Sequence, residues 1–294
     1  MDMILVHGGA GQLAPDRHDR MRAGVRAAAA AGQALLDRGG NALDAVVAAV
    51  RVLEDDPEFG AGIGSALTRD GTVETCASVM DGARRKAGAV AALQDIGAPV
   101  IVARAVLEIG EHVMLAGPAA QRYAAEIGMS PAAAGTLITP RSMQQHREAQ
   151  QGGAQRLATE GGGVGAVARD AKGGFAAATS TGGTVYRRAG CVDDSAVPGI
   201  GSWADEECAV STSGGEALFQ VALAHEIAMR VKLGAGLRKA IKESLGDLSK
   251  HSPDGVAGAI AITKDSWLAM QIGPAMPVAW FDSMGPNDSI GFPL

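Results

Sequence analysis

Between Asn41 and Pro57 runs a segment, Ala42 to Leu53, that is apolar almost all the way round a helix. A helix without a polar face has no side to offer water, so it must be enclosed by other elements. Asn41 is placed to cap it, Asp44 sits in its first turn, and Pro57 lies just beyond its end. An Ala-rich helix over about Asp19 to Leu36 precedes it and stops at Gly39-Gly40. Further helices are predicted over about Pro99 to Ile109, Gly117 to Ile127, Glu216 to Val231 and Leu237 to Leu248.

Strands supply the enclosing layers. Met3 to Val6 is a short apolar strand that runs into the glycine loop His7-Gly8-Gly9-Ala10-Gly11. Gly64 to Met80 reads as strand, turn, strand, with the turn at Arg69-Asp70-Gly71. Val164 to Ala168 and Phe175 to Thr181 flank Ala171-Lys172-Gly173-Gly174 as a second hairpin. Closing strands are expected at Cys208 to Thr212, Gly258 to Ile262, Trp267 to Ile272 and Val278 to Phe281. Blocks of helices before and after hairpins suggest sheets packed face to face and covered by helices. Thr139 to Glu160, rich in Gln, Arg, Glu and Gly and without an apolar period, reads as an exposed linker.

Composition narrows the functional classes. With 294 residues, 47% of them hydrophobic, the chain can bury a full core. The apolar runs fall short of the roughly 20 residues needed to span a bilayer. The opening Met-Asp-Met-Ile-Leu-Val-His has no basic n-region or cleavage site, so a cytoplasmic location is expected. Cys76, Cys191 and Cys208 are odd in number and lack metal-ligand spacing, which argues against a disulfide framework. A net charge of -6 with 3% aromatics offers no platform for nucleic acid, and a small or peptide-like ligand is the better expectation.

The chemistry-bearing stretch runs from Glu160 to Glu216. It contains Gly161-Gly162-Gly163-Val-Gly-Ala-Val-Ala, then Ala-Thr179-Ser180-Thr181-Gly182-Gly183, then Gly190-Cys191-Val192-Asp193-Asp194-Ser195, then Ser211-Thr212-Ser213-Gly214-Gly215-Glu216. Together with His7-Gly8-Gly9-Ala10-Gly11, Phe59-Gly60-Ala61-Gly62-Ile63-Gly64, Val79-Met80-Asp81-Gly82 and Lys86-Ala87-Gly88-Ala89-Val90, these motifs resemble, in order, those of the plant-type L-asparaginase/isoaspartyl peptidase family of N-terminal-nucleophile hydrolases. The resemblance covers residues 4 to 216.

That resemblance implies an α+β fold, an αββα sandwich in one domain over 1–294, with 1–162 and a linker of about 139–162 matching one subunit and 163–294 the other. Members of the family cleave themselves before a threonine that becomes the nucleophile for β-aspartyl dipeptides and L-asparagine. Its hydroxyl attacks while its own α-amine serves as base. By resemblance the autocleavage site is Gly162-Gly163, Thr181 assists the nucleophile, Thr212 and Ser213 align with the oxyanion-hole pair, and Asp194, Cys191 and Gly215 fall at substrate-binding positions. No cofactor is required. A structural sodium ion is implied at the acidic loop with Glu54, Phe59 and Gly60, and a homodimer is implied as the assembly.

Two residues depart from the pattern. Gly163 stands where the nucleophilic threonine belongs, so neither self-cleavage nor acyl transfer can run by the usual route. Cys191 replaces an arginine that pairs with the substrate α-carboxylate, and a thiol cannot form that fork. A substitution that traps the precursor, a chain that keeps its pocket as a pseudoenzyme or peptide-binding protein, and a displaced nucleophile such as Thr159 all fit a glycine there. Arg187 and Arg188 could take over the missing arginine's task or form a solvated face. His7 reads as a structural histidine. Counting back from Asp170 opposite Phe175 places Gly163 opposite Gly182, beside Thr181.

Overall fold

The computed structural model describes residues 2–153, 162–282 and 285–294. In chain order the elements are β1 (Met3–His7), α1 (His18–Leu36), α2 (Ala42–Asp55), β2 (Glu74–Asp81), β3 (Lys86–Gln94), α3 (Pro99–Ile109), β4 (Met114–Ala116), α4 (Gly117–Glu126) and α5 (Pro140–Glu148). Then follow β5 (Val164–Arg169), β6 (Phe175–Thr181), β7 (Ser202–Ala204), β8 (Cys208–Ser213), α6 (Leu223–Lys232), α7 (Leu237–His251), β9 (Ala257–Thr263), β10 (Trp267–Ile272), β11 (Val278–Asp282) and β12 (Gly285–Ser289).

Eight strands form one sheet in the order β12-β11-β1-β5-β6-β2-β3-β4, and four form a second in the order β10-β9-β8-β7. Each apolar layer is a separate packed cluster. Val25, Val46, Val50, Val100 and Val164 lie between the larger sheet and α1 to α4. Leu5, Val167, Phe175, Ile260 and Val278 fill the space between the sheets. Val210, Leu223, Ile227, Ile241 and Leu245 join the smaller sheet to α6 and α7. The result is the αββα sandwich, and its central strands, β5, β6 and β8, are buried on both faces.

The enclosed helix predicted from composition is α2, whose Leu43, Val46, Val47, Val50 and Leu53 are all buried. Asn41 caps it through Oδ1, which accepts from the Asp44 N–H at 2.8 Å. Asp170 in the β5–β6 turn accepts from the Ala42 N–H at 3.1 Å. One carboxylate therefore ties the N-terminus of α2 to the hairpin beneath it.

Several expectations are corrected. The segment expected as an irregular linker begins with α5: Thr139 Oγ1 accepts from the Ser142 N–H, and Ser142 Oγ accepts from the Thr139 N–H, both at 3.0 Å. Arg141 then anchors this polar helix by donating to the Pro57 and Glu58 carbonyls. Residues 154–161, including Thr159, lie outside the described residues.

The expected helix from Glu216 to Val231 is broken. A 3-10 turn over Gly215–Gln220 is followed by Ala222 at φ 46, and only then does α6 begin. Five residues apart on one helix, Leu218 and Leu223 would diverge by about 140°. The break lets both enter the core beneath β8. The first arm of the Gly64 to Met80 hairpin reduces to a single bridge, Leu67 with Val73. Strands β3, β4, β7 and β12 escaped the sequence reading; β4 and β7 are only three residues long, and β12 is polar.

Candidate active site

The hairpin register sets the centre of the site. Arg169 pairs with Phe175 and Val164 with Ser180, so continuing the ladder by one places Gly163 opposite Thr181, not opposite Gly182 as counted from the sequence. The shift arises at the turn. The Asp170 N–H donates to the Gly174 carbonyl, and Asp170 Oδ1 accepts from the Lys172 and Gly174 N–H groups, all at 2.9 Å. These bonds make 170 and 174 the closing pair of a three-residue loop.

Strand periodicity then decides which hydroxyls face the centre. On β8, Ser211 and Ser213 point toward the larger sheet while Thr212 points to the helical layer. Ser211 Oγ bonds His7 Nε2 at 2.8 Å, and Ser213 Oγ accepts from the Ala10 N–H at 3.0 Å. Thr212 Oγ1 donates to the Ile200 carbonyl at 2.7 Å, and its N–H donates to the Gly201 carbonyl. The Thr212 side chain is therefore turned away from the cavity, which Gly214 and Gly215 line.

That cavity, of about 370 Å³, brings together Gly162, Gly163, Thr181, Asp194 and Gly215 with Arg187, Asp193 and Glu216. A larger groove, about 1070 Å³, runs beside α7 and β10 and is lined by Lys239, Lys242, Asp247 and Trp267, without a buried convergence of reactive groups. Gly162 is confined on two sides. A Cβ on Gly9 would stand 2.7 Å from the Gly162 carbonyl oxygen, and a side chain on Gly162 itself would overlap Ser213 Oγ. The 162–163 peptide bond is thus held at the junction of β1, β5 and β8.

Around Gly163 the space is nearly full. A Cβ there would lie 2.6 Å from Ser195 Oγ, 2.9 Å from the Ser180 carbonyl oxygen and 3.1 Å from Thr181 Cβ. Ser195 Oγ is buried and finds no hydrogen-bond partner among the described residues. Thr181 Oγ1 accepts from the Gly183 N–H at 2.8 Å. Thr179 takes a structural place, with Oγ1 donating to the Ser195 carbonyl at 3.2 Å and facing Ser78 Oγ.

The ionisable groups are strongly perturbed. Burial first, and the adjacent Asp193 carboxylate second, push Asp194 well above the ordinary carboxylate range. Its Oδ2 has no hydrogen-bond partner among the described residues. Burial lowers His7 to about 3. With Nδ1 accepting from the Gly9 N–H at 3.3 Å, the neutral ring donates to Ser211 through Nε2. Cys191 does not line the cavity. It is half-buried, its thiol donates to Glu216 Oε1 at 3.7 Å, and burial raises its pKa.

The acidic loop is engaged differently from a side-chain metal site. Glu54 Oε1 accepts from the Val100 N–H at 3.0 Å and from Ser180 Oγ at 2.6 Å, and burial raises this carboxyl to about 8. The Gly60 carbonyl accepts from the Gly182 N–H at 2.7 Å. No cluster of three His, Cys, Asp or Glu side chains suited to a metal ion occurs among the described residues, and no described helix is long and apolar enough to cross a membrane.

Sequence reading missed Ser195, Asp193 and Glu216 as members of the site. Asp-Asp-Ser is ordinary turn composition, and only the fold brings the 193–195 turn under the start of β5.

Comparison with known proteins identifies relatives of the whole chain. A family model described as Asparaginase matches residues 1–282. The isoaspartyl peptidase/L-asparaginase of Homo sapiens is 41% identical over 284 residues, covering 94% of this chain and 92% of that protein. Its Rattus norvegicus counterpart is 42% identical over 284 residues, covering 94% and 85%. The isoaspartyl peptidase of Salmonella typhimurium is 37% identical over 289 residues, covering 91% of each chain.

Proposed function

The chain belongs to the Asparaginase family, and from that premise we propose that its cavity is built to hold β-aspartyl amides, such as β-aspartyl dipeptides and L-asparagine, in a largely inactive and unprocessed form. One observation carries the reading. Gly163, the residue before β5, lies in the cavity that holds Thr181 and Asp194, opposite Thr181 on the extended ladder and against Ser195, yet offers no hydroxyl. An amide carbonyl seated there meets neither an alcohol to attack it nor a freed α-amine to act as base. Loss of a nucleophile in a comparable acyl-transfer site costs on the order of 10⁶ in rate.

The chain's own residues keep the binding half of the chemistry. Asp194 holds the ligand's ammonium: its unpartnered Oδ2 is an acceptor without a donor, and an arriving cation restores its ionised form. Gly214 and Gly215 line the cavity wall, and backbone N–H groups from this turn would serve as donors to a polarised carbonyl. The same proposal includes a homodimer in the cytoplasm and a division at 162–163 in any processed form. It also includes a structural sodium ion held by backbone oxygens. The Pro57 and Phe59 carbonyl oxygens both stand 2.7 Å from where a Cβ on Gly64 would lie, a cradle that only glycine leaves open.

Replacing Gly163 with threonine tests the reading. Self-cleavage before residue 163 and hydrolysis of β-aspartyl dipeptides are the expected results. A Gly163→Thr chain that folds but neither cleaves nor hydrolyses favours a second reading, a pseudoenzyme that binds an amino-acid-like or peptide ligand. The presence of Cys191 at the arginine position motivates that alternative.

A further inference from the structure

Arg187 is a cation placed where the sequence pattern does not ask for one. It is 9% exposed, yet it lines the cavity shared by Gly163 and Asp194. Nη2 donates to the Glu74 carbonyl at 2.5 Å, while Nε and Nη1 find no hydrogen-bond partner among the described residues. Asp193 Oδ2 lies 3.6 Å from Nη1, close enough to offset charge and too far to occupy the donor. A buried guanidinium with two unpartnered nitrogens is costly unless something accepts from them.

Its placement depends on Gly183. A Cβ at that position, where φ is +80, would overlap Nη1 and Cζ, so the guanidinium lies against bare backbone. The Gly183 N–H is in turn held by Thr181 Oγ1, across the ladder from Gly163. A planar acceptor resting on Arg187 would therefore sit beside the strand position where the nucleophile is missing.

We propose that Arg187 is the carboxylate-binding residue of this cavity, taking from a different loop position the α-carboxylate that Cys191 cannot hold. The inference rests on the β-aspartyl reading above. Nη2 keeps a second N–H beside the one given to Glu74, and with Nε or Nη1 it completes the two-pronged contact that fits a carboxylate, while Asp194 takes the ammonium of the same ligand. Asp193 balances the cation when no ligand is bound. Specificity follows: the cavity selects ligands with a free α-carboxylate.

The test compares L-aspartate with its α-amide, L-isoasparagine, by isothermal titration of the full chain. The expected result is a preference for L-aspartate of about tenfold or more. Arg187→Gln abolishes that preference, whereas Arg188→Gln, which removes the same charge from an exposed neighbour, keeps it. Because Arg187 also holds the Glu74 carbonyl, a second measurement needs no disruptive variant. The Arg187 Nε–H resonance of the wild-type chain shifts on addition of L-aspartate and stays in place with the α-amide. Equal affinity for the two ligands, or an unmoved resonance with L-aspartate bound, overturns the role of Arg187 and leaves the β-aspartyl reading standing. Failure of both ligands to bind removes the reading and this inference together.

Discussion

The hydroxyl oxygen of Ser195 lies 2.6 Å from the point where a Cβ on Gly163 would stand. Real Cβ atoms do not approach that closely, so a side chain at 163 obliges Ser195 to rotate. Gly163→Ala is expected to lower stability by about 1–3 kcal/mol, the range for overpacking a filled interior. In a Ser195→Ala background the same change should cost less, with a coupling of at least about 0.5 kcal/mol in a double-mutant cycle. Urea unfolding measures this. Strict additivity would show that Ser195 does not limit the space at 163.

Asp194 carries the second prediction. Burial and Asp193 raise it, so the carboxyl keeps its proton to higher pH than an ordinary aspartate and, while neutral, holds an ammonium poorly. Affinity for L-aspartate should therefore climb with pH as Asp194 gives up its proton. Asp194→Asn should weaken binding by about tenfold or more and flatten that dependence. Titration calorimetry from pH 5.5 to pH 8 decides it; an affinity that ignores pH in the parent chain contradicts the assignment.

Glu54 and His7 act on stability in opposite directions. Glu54 is raised from 4.5 to about 8, so the folded chain keeps a proton that the unfolded chain has lost between those values. Its stabilising effect is complete below 4.5 and is lost as pH rises, at up to about 1.4 kcal/mol per pH unit. His7 is lowered from 6.5 to about 3, so its contribution is complete above 6.5 and is lost as pH falls. The two slopes oppose each other between 4.5 and 6.5, and above 6.5 that of Glu54 remains. Glu54→Gln keeps an oxygen for the Val100 N–H and Ser180 Oγ and should reduce the decline in melting temperature between pH 6.5 and pH 8. An unchanged decline would show that Glu54 ionises freely.

Much of this arrangement is written in local patterns. The all-round apolar run made α2 legible, and unbroken runs of small and apolar residues on either side of a turn made β5 and β6 legible, because burial on both faces leaves no polar stripe. The Thr181 neighbourhood of Gly163 was readable by counting along a ladder, although the hydrogen bonds of Asp170 moved the register by one residue. The α5 cap was harder to see. Thr139 and Ser142 satisfy each other's backbone at 3.0 Å without an apolar period to announce a helix. Arg187 was readable only as one of two adjacent cations. What separates it from Arg188 is the bare backbone at Gly183 and the carbonyl of Glu74, contacts from distant parts of the chain.

Intact-mass spectrometry of the purified chain after prolonged incubation tests the central claim most directly. The absence of a hydroxyl at Gly163 predicts a single species at 29.7 kDa and no fragment beginning at residue 163. Accumulation of a chain whose first residue is Gly163 would contradict it.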